Sequence, residues 1–297
     1  MSAGFESYLK DRAQSVDLAL DRFLPAETVA PETIHKAMRY SVFAGGKRLR
    51  PVLVIAGAEA VGGRMDEVMP TACALELIHT YSLIHDDLPA MDNDDFRRGR
   101  PTSHKVFGEA MAILAGDGLL THAFRLIAEN WRPEMDARVL RDVLVDVSDA
   151  AGTDGMVGGQ VADLEAEGRR VSADVLEYIH LHKTAALIRT SIRVGARLSG
   201  ARDDQLRALT VAGGDLGLAF QIVDDILDVT GTTEQLGKTA GKDQAQQKAT
   251  YPAIHGIEAS QAQAGRLIGE ALHALAPLGS PAEPLRALAR FILERKA

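Results

Sequence analysis

Cysteine is nearly absent. The 297 residues contain one, Cys73, which excludes an internal disulfide framework and a cysteine-based zinc site. It fits a reducing compartment, so a cytoplasmic location is expected. Aromatic residues are scarce, at 5%, and alternation of apolar and polar residues with period two is rare, which leaves little basis for a β-sheet. Basic charge is in deficit: 33 Lys and Arg stand against 41 Asp and Glu, a net of −8. A general nucleic-acid binder would need a basic face that this balance does not supply. No apolar run approaches the roughly 20 residues that span a bilayer. The opening residues, MSAGFESYLKDRA, carry Glu6 and Asp11 where a signal peptide has its apolar core. No membrane insertion is expected. A Pro- or Ser-rich linker and a repeat of fixed period are also missing, so a single domain over 1–297 is preferred to two.

Hydrophobic residues make up 46% of the chain, mostly Ala, Leu, Val and Ile. They recur at spacings of three and four, which reads as all-α. Helices are predicted over 5–22, 32–43, 51–61, 67–88, 108–130, 136–151, 173–199, 203–229, 259–276 and 281–295. Pro31 fits a first helical turn, and Gly45-Gly46 fit a stop after that helix. Ser280-Pro281-Ala282-Glu283 reads as a capping box. The long apolar helices 173–199 and 203–229 belong at the centre of the bundle, or against a second subunit.

Two acidic clusters stand out. In the first, an apolar helix carrying His79 runs into Asp86 and Asp87, then Pro89, Asp92, Asp94 and Asp95. Carboxylates this close repel unless cations neutralise them. Oxygen ligands without thiolates point to a hard cation, most simply Mg²⁺, which takes one or two carboxylates and completes its shell with water and phosphate. Arg97 and Arg98 follow, suited to bidentate contact with phosphate. His79 lies two helical turns before Asp86 on the same face. In the second cluster, Gln221, Asp224, Asp225 and Asp228 stand at i, i+3, i+4 and i+7, hence on one stripe of an apolar helix. Two such clusters across a helical cavity would hold metal ions around one polyphosphate.

Basic groups for that polyanion are at hand. Lys47 and Arg50 are three apart, on one face if helical. Segment 231–249 places Lys238, Lys242 and Lys248 among glycines, like a basic lid. Lys183 sits inside an apolar helix and needs an anion or an exposed head. Gly158-Gly159-Gln160 and Asp163 form a polar patch that could face the cavity. Gly231–Thr239 imitates a P-loop, but it has five residues between its glycines instead of four and follows a helix, not a strand, so it is rejected.

These residues carry a family resemblance, from about residue 30 to the C-terminus. The motifs are GGKRLRP at 45–51, DDLPAMD at 86–92, RRGRPT at 97–102, GDGLL at 116–120, GGQ at 158–160, HKT at 182–184, FQIVDDILD at 220–228 and GKTAGKD at 237–243. The chain resembles the trans-isoprenyl diphosphate synthases, most of all the bacterial farnesyl diphosphate synthases. The resemblance implies an all-α bundle around a deep central cavity, usually a homodimer. It also implies head-to-tail condensation of isopentenyl diphosphate with an allylic diphosphate such as dimethylallyl or geranyl diphosphate, through a carbocation. Lys47, Arg50, His79 and Arg98 would hold isopentenyl diphosphate. Arg97, Lys183 and Lys238 would hold the allylic diphosphate, with Thr184 and Gln221 near the developing cation. Asp86, Asp92 and Asp224 would bind Mg²⁺, about three ions to each site, with Asp87, Asp225 and Asp228 contacting metal waters.

Tyr81 lies five residues before Asp86, roughly 7.5 Å down an ideal helix. The resemblance makes Tyr81, with Ser82 beside it, the limit on chain length. A bulky ring suits a C15 product and a smaller side chain C20. The inserted Pro89-Ala90 also matches plant C20 synthases, which keeps geranylgeranyl diphosphate synthase as the alternative. A class I terpene cyclase would normally show a different second motif and has no need of Lys47 and Arg50. A non-catalytic subunit should have lost acids from one cluster.

Overall fold

A computed structural model describes residues 3–169, 171–230 and 250–295. The fold is all-α. Its helices are α1 (Ala3–Phe23), α2 (Glu32–Val42), α3 (Leu49–Glu59), α4 (Met65–Asp86), α5 (Ser103–Phe107), α6 (Glu109–Glu129), α7 (Ala137–Ala151), α8 (Met156–Ala166), α9 (Ala173–Ile179), α10 (Ala186–Leu198), α11 (Asp203–Thr230), α12 (Tyr251–His255), α13 (Ile257–Leu275) and α14 (Glu283–Glu294). Among the described residues the only extended pairing is a two-residue hairpin, β1 (Phe96–Arg97) with β2 (Arg100–Pro101).

Helix α10 lies at the centre, packed on α3, α4, α7 and α11. Small residues let these helices approach closely. A Cβ at Gly213 would fall 2.9 Å from the Arg189 Cα, and one at Gly217 would fall 2.7 Å from the Ala185 Cα. This is how an alanine-rich chain with few aromatic rings reaches interior packing density. Local signals set the ends. Asp136 accepts a hydrogen bond from the Arg138 N–H at 2.9 Å and so caps α7. Ser172 does the same for α9 from Val175 at 3.4 Å. Asn130, at the end of α6, brackets the proline inside α4: its amide donates to the Glu67 carbonyl and its oxygen accepts from the Thr71 N–H.

Several local expectations need correction. Pro31 is not in the first helical turn; it precedes α2 with extended backbone. Ser280 does not cap α14. The helix starts at Glu283 after a 3₁₀ turn, and Glu283 instead pairs with Arg286 and Arg290. The predicted helix 173–199 is three pieces, because His180–Ala185 form a π-helical turn between α9 and α10. Helix α8 escaped notice, since Gly158 and Gly159 blur its periodicity. Two helices, Glu109–Glu129 and Asp203–Thr230, are long and apolar enough by length and composition to cross a membrane. Here α6 packs against α4, and α11 against α10 and α13.

Asp215, on α11, faces α13. Burial, with Glu270 nearby, pushes its carboxyl up to about 6, and one of its oxygens has no hydrogen-bond partner among the described residues. The folded state therefore holds a proton that the unfolded chain, with a pKa of about 3.9, releases earlier. Stability from this group falls as pH rises from about 4 to about 6 and stays lower above that. Asp215→Asn is expected to stabilise the protein at pH 7.5 by about 1 kcal/mol, roughly 2 °C in melting temperature, with little effect at pH 4. Melting curves at the two pH values check this.

Candidate active site

Helix α4 carries an apolar body to the edge of a cavity and ends there. Pro89 lies just beyond, and Asp87 is the last residue of helical geometry. A cavity of about 570 Å³ is lined by Tyr81, Ser82, His85, Asp86 and Leu88, by Ile113 of α6, by Met156, Val157, Gln160, Val161 and Leu164 of α8, and by Lys183. A second cavity of about 770 Å³ is lined by Gly45, Gly46, Lys47, Glu76, Arg98, Phe220 and Gln221, and closed at the back by Leu288, Phe291 and Ile292 of α14. Arg50, His79 and Thr184 line both. The site is thus two chambers that meet at three polar side chains, one with an apolar interior and the other rimmed with cations.

The cationic chamber is organised from below. Arg48 is 4% exposed and has a left-handed backbone, φ 50°. It donates to Glu76 at 2.9 Å, to Asp17 at 2.8 Å and to the Val42 carbonyl at 2.8 Å. These bonds fix the loop that delivers Arg50 to the first turn of α3. Lys47 precedes the helix, so the expected shared helical face with Arg50 does not exist; a turn, not a helix, places the two at one chamber. Arg98, also left-handed at φ 53°, donates to the Gly45 carbonyl. A Cβ at Gly46 would sit 2.7 Å from the Arg98 guanidinium carbon, so only glycine allows this approach. Burial pulls Arg50 down to about 10. Burial, then the neighbouring Arg50 and Arg98, holds His79 well below the usual histidine range. His79 is therefore neutral beside strong cations.

At the acidic rim, burial and the neighbouring Asp92 push Asp86 up to about 6 against the pull of Lys183. Asp87 is raised by burial and held by Arg97, whose Nε donates to it at 2.8 Å. The π-helical turn presents Lys183 and Thr184. The Lys183 ammonium donates to Asp163 of α8 at 2.7 Å, the anion its position demanded. Thr184 donates to Gln221 at 3.1 Å. A Cβ at Gly159 would fall 2.7 Å from the Lys183 Cα, so the GGQ segment is where α8 touches this turn. Such turns recur at functional sites because they redirect side chains.

On α11, Asp224 pairs with Arg295 at 2.6 Å. Asp225 is turned to the protein: it lies 3.0 Å from the His180 Nε2 and accepts from the Tyr251 N–H at 2.7 Å. Asp228 is 3% exposed. The four residues of the expected stripe thus divide, with Gln221 lining a chamber. Lys238, Lys242, Lys248 and the P-loop-like segment lie outside the described residues. Sequence reasoning missed Arg48, Glu76 and Arg295. The available signal for Glu76 was a lone acid one turn before His79 in an apolar helix.

The helical bundle and its charged double chamber define an enzyme that handles anionic substrates with apolar tails. Residues 31–274 match the model of the family described as polyprenyl synthetase. The chain is 51% identical over 249 residues to a farnesyl diphosphate synthase of Geobacillus stearothermophilus, covering 84% of each. It is 50% identical to the heterodimeric geranylgeranyl pyrophosphate synthase large subunit 1 of Arabidopsis thaliana, covering 99% of this chain and 80% of the relative. The crystal structure of geranylgeranyl pyrophosphate synthetase from Pyrococcus horikoshii superposes with a TM-score of 0.90 at 32% identity, covering 99% of both chains. The chain belongs to the polyprenyl synthetase family and is a prenyl diphosphate synthase, a prenyltransferase of isoprenoid biosynthesis.

Removing the buried cation tests the base of the chamber. Arg48→Met leaves Glu76 buried without its hydrogen-bonded cation and is expected to cost about 3–5 kcal/mol. The double variant Arg48→Met/Glu76→Leu should recover most of that. Denaturant unfolding of the three proteins measures it.

Proposed function

We propose that this chain is a farnesyl diphosphate synthase. It condenses isopentenyl diphosphate with dimethylallyl and then geranyl diphosphate, and it releases the C15 product. The observation that carries the product length is Tyr81, whose ring is 8% exposed and walls the apolar chamber one and a half turns below Asp86. The allylic tail occupies that chamber with its diphosphate at Asp86, Arg97 and Lys183. Isopentenyl diphosphate occupies the other, held by Lys47, Arg50, His79 and Arg98. The junction at Thr184 then brings the allylic C1 to the isopentenyl double bond. Gln221 orients the Thr184 hydroxyl beside the developing carbocation, and the apolar walls keep water from quenching it.

Magnesium fits the donors. Asp86 and Asp92 form a half-buried acidic pair, in which partial burial and then the Asp92 charge raise Asp86 above the ordinary carboxylate value. Asp224 supplies a third carboxylate from α11. Among the described residues no three acid, His or Cys side chains already converge on one point, so substrate diphosphate and water would complete each ion's shell. When bound, Mg²⁺ neutralises the diphosphate as it leaves. The cations of the two chambers orient both substrates, and the lone cysteine, fully buried, suits a cytoplasmic enzyme. Ile113 and Leu114 on α6 stay exposed and supply an apolar face for a homodimer.

The second reading is geranylgeranyl diphosphate synthase. The apolar chamber continues past Tyr81 along α8 to Val161 and Leu164, which offers room for a longer tail. Incubation of the purified protein with isopentenyl and dimethylallyl diphosphates, with Mg²⁺ and then with EDTA, separates the two by product mass. A Mg²⁺-dependent C15 product is expected; C20 would establish the second reading. Tyr81→Ala is expected to shift the product to C20 or longer, and an unchanged C15 product would remove Tyr81 from the cavity floor.

A further inference from the structure

The wall behind Tyr81 has a second layer. His85 lies one helical turn further along α4, and its ring meets the Tyr81 ring edge-on, with centroids 5.6 Å apart and planes at 83°. Among the described residues this is the one ring contact that Tyr81 makes. On its other side His85 is held by α6: its Nε2 lies 3.1 Å from the Ile113 carbonyl oxygen and 3.9 Å from Asp117. The ring sits in a notch left by Gly116. A Cβ at 116 would fall 2.6 Å from the His85 Cδ2 and closer still to Nε2. Gly116 is buried in the middle of α6, where glycine costs about 1 kcal/mol relative to alanine. Clearance for the imidazole is the contact that explains it. Tyr81, His85 and Ile113 all line the apolar chamber.

We propose that His85 and Gly116 are positioning residues for product length: the His85 ring, seated in the Gly116 notch, braces Tyr81 and so sets where the growing tail stops. The inference rests on the chamber holding the allylic tail. Without the brace, the Tyr81 ring gains the vacated space and swings from the tail's path. With a methyl at 116, the imidazole is driven toward Tyr81 and the chamber narrows.

The experiment is the ratio of longer to shorter products from isopentenyl and dimethylallyl diphosphates. It compares the parent, His85→Ala, Gly116→Ala, Tyr81→Ala and the double variant Tyr81→Ala/His85→Ala. An edge-on ring pair is worth enough to change such a partition by about 2- to 12-fold. His85→Ala is expected to raise the ratio by that factor, and Gly116→Ala to lower it. Because His85 adjoins Asp86, total turnover is not the readout. The ratio is internal to each protein and is not moved by a loss of folded enzyme, and a slower condensation step would lower it, opposite to the rise expected for His85→Ala. In the Tyr81→Ala background, removing His85 is expected to add nothing, since it acts through that ring. An unchanged ratio in either single variant that folds overturns the proposal, as does a further lengthening in the double variant. A parent that makes C20 overturns the C15 reading but leaves the brace to be judged by the shift from the parent.

Discussion

Three arginines gathered where an anion must bind need a counter-charge that does not compete for that anion. Glu76 meets this need. It is 2% exposed, bonds Arg48 directly, and acts through space on Arg50 and Arg98. One buried carboxylate among three guanidiniums leaves the chamber positive overall, while the surplus stays oriented by backbone geometry. The left-handed residues Arg48 and Arg98 and the open Gly46 follow from that arrangement, because each brings a cation where ordinary backbone would not. On the other rim the signs reverse. There burial, and then the neighbouring Asp92, pushes Asp86 toward its neutral form. The two halves of the site thus carry opposite surpluses, positive at Arg50 and Arg98 and negative at Asp86 and Asp92.

The bundle places these charges beside a cavity with largely apolar walls. Alanine and glycine faces bring α3, α10 and α11 close. The π-helical turn shows the same economy. It adds a register shift in the middle of a core helix, and it presents Lys183 to the apolar chamber and Thr184 to the junction of the two. Asp225 anchors that turn through His180 and to α12 through the Tyr251 N–H. An acid of the second cluster is therefore spent on holding shape.

Much of the site was legible in residue order because helices have a fixed period. His79 and Asp86 were assigned one face seven residues apart, and both line the same chamber. The need of Lys183 for an anion was legible from its apolar surroundings, and Asp163 was already marked in the polar patch that supplies it. Where the period does not apply, the reading failed. Lys47 and Arg50 meet at a chamber through a turn. Asp225 keeps its place on the helical stripe, but its carboxylate is bonded to His180 and the Tyr251 N–H, partners that no spacing along the helix shows. Helix α8 hid behind two glycines, of which Gly159 gives close contact with the π-helical turn and Gly158 with the Thr153 carbonyl just before the helix.

The sequence by itself determined the helical class, the two acidic clusters, the basic groups and the bulky ring before the first of them. Each is a local matter of residue type and spacing along one helix. Only the tertiary structure decided which acids line a chamber and which bond within the protein, and that Glu76 lies beneath the arginines. It alone decided that the imidazole of His85 stands in a notch on a different helix. Those facts depend on which distant segments pack together. Side-chain pairing between helices is set by the three-dimensional balance of burial and charge, and no spacing along one chain encodes it.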